Sequence, residues 1–229
     1  MRRVRTRRSV IDRGRELNQP RLDTRDVAVV RVKTGVRLWL LAACFTSSPA
    51  VALADWQAVE KVQAYAIAGK SGAELYASIG ERGPKVGVGR AIAQTNFKLT
   101  WSRKYEPQGD ACVLVSARPT LIITYMLPKP AEQLPVAIRK SWETFFAGVH
   151  SHELVHGDMI KDMVRRIEAA SVGLSVVGDR NCRKIKSELT KRLSELSLAQ
   201  RQRSRDFDRT ELSKGGNIHH LILKLVNGP

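Results

Sequence analysis

The chain contains few cysteines, few acidic residues for its many basic ones, and no apolar run long enough to cross a bilayer. Only 3 of its 229 residues are cysteine, too few for a small domain built around a disulfide framework. The apolar run at residues 38–45 is far shorter than the roughly 20 residues that a spanning helix needs. With 43% hydrophobic and 27% charged residues, the composition excludes a collagen-like repeat, a chain disordered throughout and a multi-span membrane protein.

The positive charge is divided between two parts of the chain. Lys and Arg number 39 against 22 Asp and Glu, a formal net charge of +17. Residues 1–54 hold 12 Lys and Arg against 4 Asp and Glu, whereas residues 55–229 hold 27 against 18. About half of the excess charge therefore lies in the first 54 residues. Because no nucleic-acid-binding motif accompanies the remainder, we expect no nucleic-acid partner.

Residues 1–54 are predicted to be an N-terminal leader with a signal peptide. Basic residues precede the apolar run at 38–45, and Ala52-Leu53-Ala54 follows as an Ala-x-Ala cleavage site. The leader is unusually long, which suggests that translation begins near Val32. We therefore expect a periplasmic or secreted protein without a transmembrane span in its mature form. The alternative is a lipoprotein anchored through Cys44, because Leu41-Ala42-Ala43-Cys44 resembles a lipoprotein processing site.

Export affects how the other two cysteines are interpreted. Cys112 and Cys182 would both lie in an oxidising compartment, where a disulfide between them is the natural expectation. Such a bond would close a loop of about 70 residues and tie a strand to the segment before a late helix. The alternative, a pair of zinc-ligating thiolates, is less favoured because neither cysteine belongs to a Cys-x-x-Cys pair.

Residues 55–229 are predicted to form one α+β domain, with strands first and helices later. Strand patterns occur at residues 62–67, 91–105, 112–115 and 120–125, with a short helix after Ser71, so we expect a small antiparallel sheet. The apolar period changes to that of a helix from Pro135 to about Gly173 and again from Cys182 to about Phe207. Runs of strands followed by runs of helices are typical of the α+β class.

The residues with recognisable chemistry are His152-Glu153-Leu154-Val155-His156, an H-E-x-x-H sequence on the first long helix. Histidines four residues apart lie on one helix face and can bind one Zn²⁺, while the Glu lies beside the open coordination position. Glu153 is then the expected general base for a zinc-activated water. The alternative is that both histidines belong to a buried apolar face without a metal.

For three other residues near the motif, the sequence gives weaker indications of a role in metal binding. His150 is expected on the opposite side of the helix and not among the ligands. Asp158 or Asp162 can orient a ligand histidine through its free ring nitrogen, although a solvated helix face is the commoner position for such a residue.

The order of these features resembles the bacterial predicted secreted zinc-dependent proteases grouped as domain-of-unknown-function family 922. The resemblance covers nearly all of residues 56–225 and includes the H-E-x-x-H helix, both cysteines and a closing segment at Phe207-Asp208-Arg209-Thr210. It implies a zincin-like helix, and in the family a His-Gly after that segment can supply a third ligand. This chain lacks the His-Gly. Its candidates for the third ligand are, in order of preference, Glu211, Asp208 and His219.

The resulting functional hypothesis is an exported zinc metallopeptidase that acts on peptide or protein substrates, with cell-envelope material among the candidates. Ester and peptidoglycan cross-bridge substrates stay open. The alternative hypothesis is a non-catalytic periplasmic module that binds peptide or cell-wall material and uses the metal structurally. A site with an open coordination position favours the enzyme, and a closed four-ligand site favours the module.

Overall fold

The computed structural model describes residues 56–228, so the predicted leader, its cleavage site and Cys44 lie outside the described residues. The strands in chain order are β1 (Val59–Ile67), β2 (Lys85–Val86), β3 (Gly89–Arg90), β4 (Gln94–Gln108), β5 (Ala111–Pro130) and β6 (Ser175–Val176). The helices are α1 (Gly72–Arg82), α2 (Val136–Ser171), α3 (Lys184–Leu212) and α4 (Asn217–Val226). Across residues 56–228, no helix combines the length and apolar character needed to cross a membrane.

The main sheet has the strand order β1-β5-β4, and β6 pairs with the start of β5. β4 and β5 are antiparallel along almost their whole lengths, which confirms the predicted α+β class with a small antiparallel sheet. β1 adds a parallel strand, with Val59 opposite Ile122. The alternation of apolar and polar residues identifies a strand but does not encode its direction, so the parallel pairing was not predictable from the pattern.

β5 is one continuous strand of 20 residues, although its two β-branched runs were predicted as separate strands on either side of Arg118-Pro119. Pro119 lies opposite Trp101 of β4. β1 begins to pair with β5 only at Ile122, so at Pro119 the strand has a neighbour on one side alone. A proline without an N–H is tolerated where one side of a strand is unpaired, and the prediction of a break was therefore wrong.

α2 confirms the predicted first long helix, since it runs from Val136 to Ser171 directly after Pro135. The chain leaves the helix through Gly173, whose φ of +84° is a left-handed conformation that favours glycine. The apolar stripe of α2 packs against the buried face of β4 and β5. The main core formed in this way includes Leu121, Ile123, Tyr125, Leu127, Trp142, Phe145, Val149, Ile160, Val164 and Ile167.

The C-terminal part contains one helix more than predicted. α3 extends the expected second helix to Leu212, and α4 follows after a short turn. α4 buries Ile218 and Leu225, and its close approach to α2 depends on Gly148, where a Cβ would lie 2.1 Å from the side chain of Leu221. Because α3 and α4 both pack on α2, the segment after α3 returns the chain to the helix that carries the H-E-x-x-H residues.

The predicted disulfide is present and joins Cys112 to Cys182, 70 residues apart in the sequence. It ties the start of β5 to the segment immediately before α3. Both cysteines belong to a second, smaller apolar cluster that includes Leu114, Leu174, Ile185 and Leu189. The bond therefore links the sheet to the N-terminal end of the helix whose opposite end reaches the candidate site.

Candidate metal centre

The two histidines of the motif meet on one face of α2, as the spacing predicts. Nε2 of His152 and Nε2 of His156 are 3.1 Å apart, and the ring centroids are 4.8 Å apart. Helix geometry produces this pairing, because residues four apart lie one above the other. Gly157 permits α2 to lie close to β5 at this point, since a Cβ there would be 2.1 Å from the hydroxyl oxygen of Tyr125.

Asp208 of α3 supplies the third group. Its Oδ1 lies 2.8 Å from Nε2 of His156 and 3.1 Å from Nε2 of His152, so three potential ligand atoms converge on one point. Tetrahedral zinc ligands at about 2.0–2.2 Å from the ion lie about 3.3 Å from one another, close to the separations seen here. Among the residues described, these three form the group that could hold a metal ion.

Three contacts of Ser204 indicate how the His156 ring is protonated. Nδ1 of His156 is 3.2 Å from Oγ of Ser204, which also accepts a hydrogen bond from Nε2 of Gln200. The Ser204 hydroxyl directs its own hydrogen towards the sulfur of Met159. These contacts favour the serine oxygen as an acceptor for His156, an arrangement that places the proton on Nδ1 and directs the lone pair of Nε2 towards Asp208.

The two imidazoles and the carboxylate that face one another form a group that could hold a metal ion. Burial alone would raise the pKa of Asp208, but its contacts with His152 and His156 outweigh that effect and hold the pKa well below its ordinary value. Burial lowers the pKa of His156, while contact with Asp208 raises it more, to a net value above the ordinary one. Two nitrogens and one carboxylate oxygen are a donor set that Zn²⁺ accepts, so these residues fit the metal that the motif predicts.

Glu153 lies beside the cluster and is buried, with 5% of its surface exposed. The hydroxyl of Thr95 in β4 donates to Oε2 of Glu153 at 2.5 Å and also contacts its backbone oxygen at 3.1 Å. Burial raises the pKa of Glu153, and the hydrogen bond from Thr95 acts in the opposite direction. A carboxylate with a raised pKa and a fixed orientation is suited to accept a proton from a water molecule.

The ring of Phe207 packs against both histidines of the motif. It stacks on His152 with 4.6 Å between centroids and 19° between planes, and it meets His156 edge-on at 5.4 Å. Phe207 directly precedes Asp208 in α3, so one helical turn supplies both the carboxylate and the ring that restricts the imidazoles.

A cleft of about 450 Å³ opens onto the cluster. It is lined by the start of β4 and by faces of α2 and α3, and Thr95, His152, Glu153, His156 and Asp208 are among its lining residues. Much of the remaining wall is apolar, and Val86, Phe97 and Leu212 are between 44% and 49% exposed there. The side chain of Asp208 is 41% exposed, so the point where the three groups converge is accessible from solvent.

The sequence profile described as a bacterial protein of unknown function, DUF922, matches residues 62–216, more than half of the chain. The chain belongs to this family. No curated protein and no solved structure matches the chain. The matched region begins within β1 and ends just before α4, so it contains every residue of the cluster.

The structure separates the three candidates for the third ligand in this DUF922 chain. Asp208, placed second by the sequence, joins the histidines. Glu211, placed first, has its Oε2 3.9 Å from Nδ1 of His152, on the far side of that ring from the cluster. His219 lies on α4, where its Nδ1 accepts a hydrogen bond from the backbone N–H of Gly215.

The residues expected to have minor roles lie away from the cluster. The ring of His150 packs near Phe146, 6.1 Å between centroids, and near Tyr125 at 6.2 Å. Asp158 forms an ion pair with Lys161, and Asp162 binds Arg203 of α3 at 2.6 Å. Neither carboxylate contacts a histidine of the motif in the structure.

Sequence reasoning missed three residues of the site, namely Thr95, Ser204 and Phe207. Thr95 is distant in sequence, and no local pattern marks it as a partner of Glu153. Ser204 lies four residues before Asp208, so both occupy one face of α3. That spacing was the available signal, and it becomes informative only when α3 is known to pack on α2.

Proposed function

We propose that this chain is a zinc-dependent peptidase in which His152, His156 and Asp208 bind the metal and Glu153 is the general base. The observation that carries the proposal is the convergence of these three ligand atoms within 3.1 Å of one another beside a buried glutamate. The described residues offer three ligands at this point. Catalytic zinc sites have three protein ligands and an open fourth position, whereas structural sites have four, which favours the enzyme over a binding module.

Each residue has a chemical task in this mechanism. A zinc ion in the site would polarise the substrate carbonyl and lower the pKa of water towards about 7. Glu153 accepts the proton of the attacking water and then transfers it to the leaving amine. Thr95 binds Oε2 of Glu153 and so holds the carboxylate in one orientation. Ser204 and Phe207 hold the imidazoles in position while the reaction proceeds.

The cleft supports a peptide or protein substrate. Its volume of about 450 Å³ accommodates a few residues of an extended chain, and its half-exposed apolar side chains suit apolar substrate residues. The Cys112–Cys182 disulfide supports a periplasmic or secreted location, because such bonds persist in oxidising compartments. Cell-envelope proteins or peptides are therefore the first substrates to test.

The test compares the purified wild-type protein with Glu153→Gln, His152→Ala and a control, Glu143→Gln, which changes an exposed glutamate of the same helix. Bound zinc is measured by elemental analysis, and cleavage is measured with a broad peptide library. We expect one zinc in wild type, Glu153→Gln and the control, none in His152→Ala, and cleavage only by wild type and the control. Full zinc without cleavage would favour the binding module, and absence of zinc after reconstitution would refute the metal site.

A further inference from the structure

We infer that Glu211 is a positioning residue, which accepts a hydrogen bond from Nδ1 of His152 and so directs Nε2 of that ring towards the metal. The inference rests on the proposed metal site. Glu211 then has a role different from the direct ligation that the sequence suggested. The observation behind it is one buried nitrogen, Nδ1 of His152, that lacks a hydrogen-bond partner among the described residues.

Nδ1 of His152 is buried and has no hydrogen-bond partner among the described residues. The whole His152 side chain is 8% exposed, so bulk water has little access to it. An unpaired buried donor costs about 1–3 kcal/mol, which is why such atoms normally have a partner. If Nε2 binds a metal, Nδ1 carries the ring proton and must donate it to an acceptor.

Glu211 is the carboxylate within reach of this nitrogen. Its Oε2 lies 3.9 Å from Nδ1 of His152, and its side chain is 20% exposed. A charge-assisted hydrogen bond has a length of about 2.7–2.9 Å, so a shift of about 1 Å in a flexible side chain completes it. Nδ2 of Asn217, at the start of α4, donates to the same oxygen at 3.3 Å and holds the carboxylate near this position.

The other motif histidine already has an equivalent partner. Nδ1 of His156 contacts Oγ of Ser204 at 3.2 Å, on the side of its ring away from the metal position. Ser204 and Glu211 both belong to α3, two helical turns apart. Glu211 would therefore accept a hydrogen bond from Nδ1 of His152, as Ser204 does from Nδ1 of His156. The helix α3 would then orient both rings and also supply Asp208.

The same geometry places Glu211 outside the set of ligands. The two nitrogens of an imidazole face different sides of the ring, and Nε2 of His152 faces Asp208 and His156. A carboxylate beside Nδ1 is on the opposite side from an ion bound at Nε2. Histidine ligands commonly donate their second N–H to a carboxylate in this way, and loss of that partner typically lowers metal affinity by about 10- to 100-fold.

The experiment uses the full protein with Glu211→Ala, Glu211→Gln and a control, Glu195→Ala, an exposed glutamate of α3. ¹H–¹⁵N spectra of the zinc-loaded protein report the hydrogen bond of the Nδ1 proton of His152, because that proton shifts downfield and exchanges slowly with water when a carboxylate accepts it. Competition with a chelator gives the Kd for zinc. The spectroscopic measurement does not depend on activity.

We expect the wild type and Glu195→Ala to show a downfield, slowly exchanging Nδ1 proton on His152. Glu211→Ala should lose this signal and bind zinc about 10- to 100-fold more weakly. Glu211→Gln should keep the signal, because an amide oxygen still accepts the bond, with a smaller loss of affinity. An unchanged Nδ1 signal and Kd in Glu211→Ala would overturn the inference, as would complete loss of zinc in both Glu211 variants, which would make Glu211 a ligand. If the wild type binds no zinc, the proposed function fails and this inference fails with it, whereas a zinc-loaded wild type whose Nδ1 proton exchanges freely would contradict the inference alone.

Discussion

The hydroxyl of Thr95 donates to Oε2 of Glu153 at 2.5 Å, which links the first residues of β4 to the proposed general base. The two residues are 58 positions apart in sequence. Glu153 is buried, and among the described residues Thr95 is the side chain that hydrogen-bonds to its carboxylate. The strand thus helps to hold the carboxylate of Glu153 in one orientation beside the cleft.

Substitution of Thr95→Val should lower kcat and leave zinc binding intact. Valine has a similar shape but no hydroxyl, and a hydrogen bond to a charged group contributes about 1.5–3 kcal/mol, so we expect roughly a 10- to 100-fold fall in kcat. Steady-state cleavage of a peptide substrate and zinc analysis measure the two effects. The control is Thr100→Val, an exposed threonine of the same strand. Equal kcat for Thr95→Val and wild type would contradict a positioning role for Thr95.

Substitution of Asp208→Asn should weaken zinc binding more strongly than any change at Glu211. The amide lacks the negative charge that two imidazoles and a divalent cation require, so loss of affinity should exceed the about 10- to 100-fold typical of an outer partner. The matched control is Asp206→Asn, an exposed aspartate two residues earlier in α3. Chelator competition measures all variants. A larger loss in Glu211→Ala than in Asp208→Asn would restore Glu211 as the third ligand.

The sequence predicts the three motif residues of the site but cannot choose between Asp208 and Glu211 as the third ligand. His152, Glu153 and His156 were predictable because their relative positions depend only on the geometry of one helix. Asp208 and Glu211 are three residues apart and share one face of α3, so helical periodicity cannot choose between them. The choice depends on how far α3 is displaced along α2, which long-range packing determines.

The sheet shows the same limit. β1, β4 and β5 were predictable from alternation and β-branched runs, and the two-residue strands β2, β3 and β6 were not. The continuity of β5 through Pro119 depends on where β1 begins to pair, at Ile122. The disulfide was predictable because only two cysteines follow the predicted leader. Local patterns therefore identified most elements and the motif, whereas the partners from other elements required the assembled structure.

Removal of the disulfide should lower the stability of the domain. A bond that closes a loop of 70 residues contributes roughly 4 kcal/mol to the free energy of unfolding in the chain-entropy model. We expect a loss of about this size in the Cys112→Ala/Cys182→Ala double variant, measured by urea denaturation. Reductant should destabilise the wild type similarly and have no effect on the double variant. A wild type that is insensitive to full reduction would contradict this prediction.

Asp179 should make the stability of the domain depend on acid pH. Its side chain is 4% exposed and accepts hydrogen bonds from the backbone N–H groups of Arg183 and Ile185, both at 2.8 Å, at the start of α3. Burial alone would raise the pKa of Asp179, but these backbone donors and the charge of Lys184 outweigh it, so the pKa is lowered in the folded protein. The ionised form is therefore stabilised by folding.

This shift fixes the sign of the pH dependence. An aspartate with a lowered folded pKa adds stability above its unfolded pKa of about 3.9, and that stability is lost as pH falls through this value towards the folded pKa. We expect the Tm of wild type to fall more between pH 6 and pH 3 than the Tm of Asp179→Asn, which lacks the titrating group. Asp110→Asn, an exposed aspartate before β5, is the control and should behave as wild type. Parallel Tm profiles for wild type and Asp179→Asn would show that the carboxylate of Asp179 does not stabilise α3 through its charge.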